Sequence, residues 1–133
     1  MRRKRRQKGQ SLIEVMIGLI VIIPIGLAAV DLVVLTNASQ NNEELCEIAA
    51  RAASTKGNAA SATHAVQEVV DHVALTNVVQ EIVIDDVKYN LDTGQVGVSL
   101  IMKVHVPVPF PNFDTISCKA GAVQPIVSTP ALQ

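Results

Sequence analysis

From Leu12 to Leu35 the chain runs for 24 residues with Glu14 and Asp31 as its only charged side chains. As an α-helix this stretch is roughly 36 Å long at ~1.5 Å per residue, enough to cross a hydrocarbon core of about 30 Å. No other feature restricts the fold as much, because a segment this apolar has to lie in lipid or against other apolar surfaces. Six of the 11 basic residues, Arg2, Arg3, Lys4, Arg5, Arg6 and Lys8, crowd ahead of Gly9. Cationic flanks stay on the cytoplasmic side, so a single pass with the N-terminus inside and the body exported is expected. The remaining five basic residues face all 12 acidic ones. An acidic body argues against nucleic acid as its partner, and the basic stub is better explained by the membrane segment that follows it.

Three readings of that segment compete. It can be a secretory signal peptide, with Pro24 breaking the helix and Gly26-Leu27-Ala28 as the cleavage site. It can be an uncleaved anchor. Or the chain can be cut on the cytoplasmic face between Gly9 and Gln10, with the apolar helix retained. Glu14 separates them. An acid at the centre of a membrane helix costs roughly 2.5–3.5 kcal/mol on insertion scales, less near the interface, and neither a signal peptide nor a plain anchor gains from it. Cleavage after Gly9 gives Glu14 a partner. The new α-amine on Gln10 has a reference pKa of about 7.7–8.0 and is largely cationic at neutral pH. Inside an apolar assembly the amine of one copy and the Glu14 of its neighbour can neutralise each other. Such a buried pair sets register more than it adds stability.

The stretch Lys8-Gly9-Gln10-Ser11-Leu12-Ile13-Glu14-Val15-Met16-Ile17 resembles the type IV prepilin cleavage signature, a basic leader ending in Gly with Glu as the fifth residue of the mature chain. The resemblance implies removal of residues 1–9 by a prepilin peptidase. It also implies methylation of the new N-terminus and assembly with other pilin-like subunits on a motor-driven platform.

Beyond the membrane, Thr36 to Ser54 contains neither Pro nor Gly. Leu45, Ile48, Ala49, Ala52 and Ala53 form an apolar stripe at helical spacing, with Gln40, Asn41, Asn42, Glu43, Glu44 and Glu47 on much of the rest. One helix from about Ser11 to Ser54 is expected, bent at Pro24 and closed by a Gly57 cap. A second helix follows over about Ala59 to Leu75, with Ala62, Val66, Val69, Val70 and Val73 on one face. The period then changes. Val96, Val98, Leu100, Met102, Val104, Val106 and Val108 alternate with polar or small residues, Ile101 excepted, which marks a half-buried strand. Val78 to Leu91 is its expected partner across an Asp92-Thr93-Gly94 turn. Pro107, Pro109 and Pro111 should stop the sheet or confine it to an edge. Thr115 to Ala122 reads as a short third strand, and the tail after Pro125 as loose.

This order of features resembles the TadE-like proteins, pilin-like subunits of tight-adherence pilus systems. Gly9-Gln10 with Leu12 and Glu14, Asp31 near the far end of the apolar helix, and Ala49-Ala50-Arg51-Ala52-Ala53 carry it. The chain departs from that family at Val15 and Leu32, where an aromatic is usual. The wording Ser-Leu-Ile-Glu-Val-Met-Ile is also typical of pseudopilins in type II secretion and competence systems. The resulting expectation is an α+β, pilin-like fold: a long transmembrane and amphipathic helix, a shorter helix and a small antiparallel sheet. Residues 1–9 are the leader, 10–35 the transmembrane segment, 36–128 the exported domain and 129–133 a loose tail. A chain with its own sheet domain reads as a minor subunit of a pilus, because the family's principal pilin is smaller and nearly all helix.

Cys46 and Cys118 both follow the apolar helix and should reach an oxidising compartment. A disulfide between them would close a loop of some 70 residues, worth roughly 4 kcal/mol in the chain-entropy model; the alternative is two free thiols. Asp31 reads as the helix's exit into water. His64, Glu68 and His72 line up on one helix face, but the two His Cα atoms are about 12 Å apart along the axis, too far for one metal. They read as a wet face, and Asp85-Asp86 as a turn or solvated pair. No nucleophile elbow, phosphate loop or acid/base carboxylate constellation is present. No cofactor, metal or enzymatic activity is expected.

Overall fold

The structure, a computed structural model, describes residues 6–110 and 113–128. Two helices precede three strands: α1 (Arg6–Ser54), α2 (Ala59–Asp71), β1 (Val79–Asn90), β2 (Gln95–Phe110) and β3 (Phe113–Pro125). The strands form one antiparallel sheet in the order β1-β2-β3. The α+β architecture is the expected one, and α1 runs through Pro24 without interruption.

β2 is the centre of the molecule. Val96, Val98, Leu100, Met102, Val104 and Val106 are buried on the face that meets the helices, while Gly97, Ser99, Ile101, Lys103 and His105 lie on the other. From α1 the facing stripe is Ala38, Leu45, Cys46, Ala49, Ala50 and Ala53, and from α2 it is Ala62, Val66 and Val70. Small Ala side chains on the helices let the backbones approach, so branched Val and Leu on the sheet supply most of the core volume. The α1 stripe is rotated from the expected one. Ile48 is half exposed, Cys46 and Ala50 are buried, and Asn42, assigned to the polar face, is fully buried.

Local chemistry explains the element ends. The Ser54 and Thr55 hydroxyls turn back to the Arg51 and Ala52 carbonyls, each at 2.8 Å, and stop α1. Gly57 is therefore not the left-handed cap expected of it; among the described residues the glycine with positive φ is Gly94, at 62°. Asn58 caps α2, its Oδ1 accepting from the Ser61 N–H at 2.8 Å. That helix ends at Asp71, four residues earlier than expected, because Thr76 and Val79 already bond to each other in a turn leading into β1. The β1–β2 turn closes on Asn90, whose Oδ1 accepts from the N–H groups of Asp92 and Thr93, with Gly94 supplying the positive φ.

Two corrections concern the C-terminal third. β3 is a full partner of β2 from Gln95↔Pro125 to His105↔Thr115 and again at Phe110↔Phe113, not a short strand. Residues 126–128 are tied down: the Val127 N–H donates to the Ser54 carbonyl at 3.1 Å and the Ser128 hydroxyl to the Lys56 carbonyl at 2.6 Å. Residues 129–133 and Pro111 lie outside the described residues. The other two prolines sit where the ladder tolerates them. Pairing to β1 ends at Val104, and the β2–β3 register shifts between His105 and Phe110, so Pro107 and Pro109 interrupt no continuous ladder.

Candidate functional site

Among the described residues, nothing packs on the apolar side chains of the membrane-side half of α1. Every large apolar side chain from Leu12 to Val33 is exposed, with Ile20 at 70%. These 22 residues cover roughly 33 Å of helix and far exceed the few hundred Å² of contiguous apolar surface that a soluble monomer normally shows. Lipid or other apolar helices must cover them.

The two acids of this segment have opposite fates. Glu14 is exposed on the bare helix, four residues after Gln10 and so one turn further along. None of the ion pairs among the described residues involves it. Asp31 corrects the reading of a simple exit into water. It is 5% exposed, and its Oδ1 accepts from the Val108 N–H at 3.1 Å, while Oδ2 is buried without a partner among the described residues. The partner lies 77 residues away, at the proline-containing end of β2. Gly9 and Gln10 fall in the first turns of α1, which begins at Arg6. Gly inside a helix costs about 1 kcal/mol relative to Ala, so the Gly9-Gln10 bond sits at a weak point of the helix.

The remaining candidate residues form no common site. Cys46 is fully buried with its thiol 3.9 Å from the Val98 carbonyl. Cys118 pairs across the sheet with Met102. Both thiols are free, in place of the expected link. Burial pushes the Cys46 thiol above its ordinary value, partly offset by a backbone hydrogen bond with Leu100. Under native conditions a thiol reagent should therefore label Cys118 quickly and Cys46 only on unfolding. Equal labelling rates, counted by intact mass, would contradict this placement.

Asn42, which the sequence reading missed, bridges α1 to the sheet: its Nδ2 donates to the Cys118 carbonyl at 2.9 Å and approaches that of Leu100 at 3.5 Å. Its i+4 relation to Ala38 and Cys46 was the available signal. His64 and Glu68 are exposed, and His72 caps α2 with its Nδ1 2.6 Å from the Glu68 carbonyl. Asp85 and Asp86 are not a turn. Asp85 lies within an irregularity of β1 and Asp86 directly follows it; they pair with Lys119 at 2.6 Å and Lys88 at 3.1 Å. The Asp85 carboxylate raises the Lys119 ammonium above its usual range.

Residues 4–23 match the family model of the prokaryotic N-terminal methylation motif. The chain carries a type IV pilin-like prepilin leader. The matched span contains the basic cluster from Lys4, the Gly9-Gln10 bond, Glu14 and the first half of the apolar helix. Such a motif is the substrate signal for prepilin peptidase, and with a long exposed apolar helix it fits a single-pass, inner-membrane-anchored pilin. No curated protein and no solved structure matches the chain, so the head beyond residue 23 is understood from its own geometry.

Proposed function

We propose that this chain is a minor or accessory subunit of a tight-adherence pilus or of its assembly machinery, freed from its leader by prepilin peptidase after Gly9. The observation that carries the reading is Glu14, exposed on an otherwise bare apolar helix at the fifth position after Gly9. A lone acid there has a use when a neighbouring copy or another pilin-like subunit brings a cationic N-terminus to it. The folded head, with its own three-stranded sheet, supports an accessory role over that of a principal shaft subunit. The role is structural rather than catalytic. The basic stub remains cytoplasmic, the head is exported, and the mature subunit passes from the membrane to the pilus. Its partners are the peptidase, pilin-like subunits, the assembly platform and lipid.

A type II secretion pseudopilin is a second reading, favoured by the Ser11–Ile17 wording. Co-purification with surface filaments or with a secretion platform separates the two. The leader itself is tested by N-terminal sequencing and intact mass of the mature protein. The expected start is Gln10, N-methylated. A start at Ala29 would make the chain a secreted or periplasmic module released by signal peptidase, and an uncut chain would make it a plain anchor; either result overturns the proposal.

A further inference from the structure

We infer that the outer edge of β3 accepts an added β-strand from a different exported protein, one carrying Lys or Arg at alternate positions. β3 is the last strand in the sheet order, and among the described residues no strand pairs with its outer side. A groove beside it is lined by the consecutive residues Lys119 to Gln124 and by Glu43 and Glu47 of α1. Successive side chains of a strand point to opposite faces, so consecutive residues line one groove only where it follows the backbone edge. The Ile126 N–H donates to the Gly94 carbonyl, on the β2 side, at 2.8 Å. Bond direction alternates along an antiparallel ladder, so the N–H groups of Lys119, Gly121 and Val123 point outward, into the groove.

The two edges of the sheet differ in how they are guarded. Pairing of β1 shifts twice, at Val79/Glu81 and at Ile84/Asp86, and such irregularities turn an edge away from foreign strands. β3 pairs with β2 without a shift from Gln95↔Pro125 to His105↔Thr115. Between residues 115 and 124 it has no Pro, and its one charged residue is Lys119. That ammonium reaches back across the sheet to Asp85 of β1 at 2.6 Å, away from the edge. Charge then selects the occupant. Glu43 and Glu47 are exposed above the groove, roughly 6 Å apart along α1. Alternate residues of a strand are about 6.7 Å apart, so two basic side chains on one face can meet both acids. Glu47 already touches Arg51 at 3.3 Å, in an exposed pair that exchanges at little cost. From residue 36 onward this chain has no two Lys or Arg residues two positions apart. A second copy therefore lacks the pattern that another protein must bring.

Strand addition belongs to the head alone, so its test is independent of the leader and the pilus. Full-length protein in detergent is titrated with a blocked peptide in which Val alternates with Lys, and with the same peptide carrying Glu for Lys. The Lys peptide should bind roughly tenfold tighter, through two exposed ion pairs, and should slow amide exchange at 119, 121 and 123, which gain acceptors. Val123→Pro removes an outward N–H and no bond to β2; it should keep the melting profile and lose the peptide. Glu43→Lys combined with Glu47→Lys should reverse the preference between peptides. Binding without slowed exchange at those three amides overturns strand addition, and equal binding of both peptides overturns the basic pattern. Exchange that slows with protein concentration alone assigns the edge to a second copy and overturns the foreign partner.

Discussion

Chains carrying Glu14→Ala should be cut after Gly9 as efficiently as the wild type and then be almost absent from filaments. On the proposed function, cleavage depends on the leader and the Gly9-Gln10 bond, neither of which the substitution alters. Assembly differs, because the amine of a neighbouring subunit would then lie in an apolar environment without its carboxylate. Breaking a buried pair by removing one member costs about 3–5 kcal/mol. At about 1.4 kcal/mol per tenfold, incorporation should fall on the order of a hundredfold or more. Comparing mature chain in membranes with chain in sheared filaments measures this. Normal incorporation of Glu14→Ala would remove the charge pair from the mechanism, and uncut precursor would place Glu14 in peptidase recognition instead.

The second large effect is expected in the head. Leu100 is fully buried at the centre of β2, with Ile84 paired on one side and Ala120 on the other. The α1 residues in this core are largely Ala, which have no side chain able to lean into a void. Leu100→Ala should therefore reach the upper part of the usual range of about 2–5 kcal/mol for such truncations. That is a large share of the roughly 5–15 kcal/mol that holds a typical domain together. Denaturant unfolding of the full chain in detergent should show a lower midpoint with an unchanged slope. Ile101→Ala, one residue along on the opposite face and only partly buried, should cost clearly less. Equal losses at both positions would contradict the assignment of faces.

What the sequence revealed follows from the range of each signal. The long helix and the central strand were legible because their patterns are local: an apolar run after a basic cluster, and seven apolar residues at period two. β3 was under-read since its inward positions, Cys118, Ala120 and Ala122, are small and its outward ones include Gly121, so alternation is faint. Asp31 and Asn42 were misplaced for a different reason. Each is polar within a helix, and each bonds to backbone groups 58 to 77 residues away, which no local pattern can show. For the cysteines, compartment and loop length allowed either a link or two free thiols; the structure has the free pair, Cys46 buried and Cys118 partly exposed, a choice set by how α1 packs on the sheet. At the leader, spacing was sufficient, because charge, Gly9 and Glu14 act within a short stretch of chain.

The position of β3 has a consequence for biogenesis. The last strand to be synthesised lies against the first helix, and the final residues described fasten onto that helix's end near Ser54. Contacts between distant parts of a chain form late and slowly. The head therefore cannot close until nearly the whole polypeptide has been made. A chain truncated before residue 113 would leave the outer edge of β2 unpaired, a ready template for aggregation and a target for quality-control proteases.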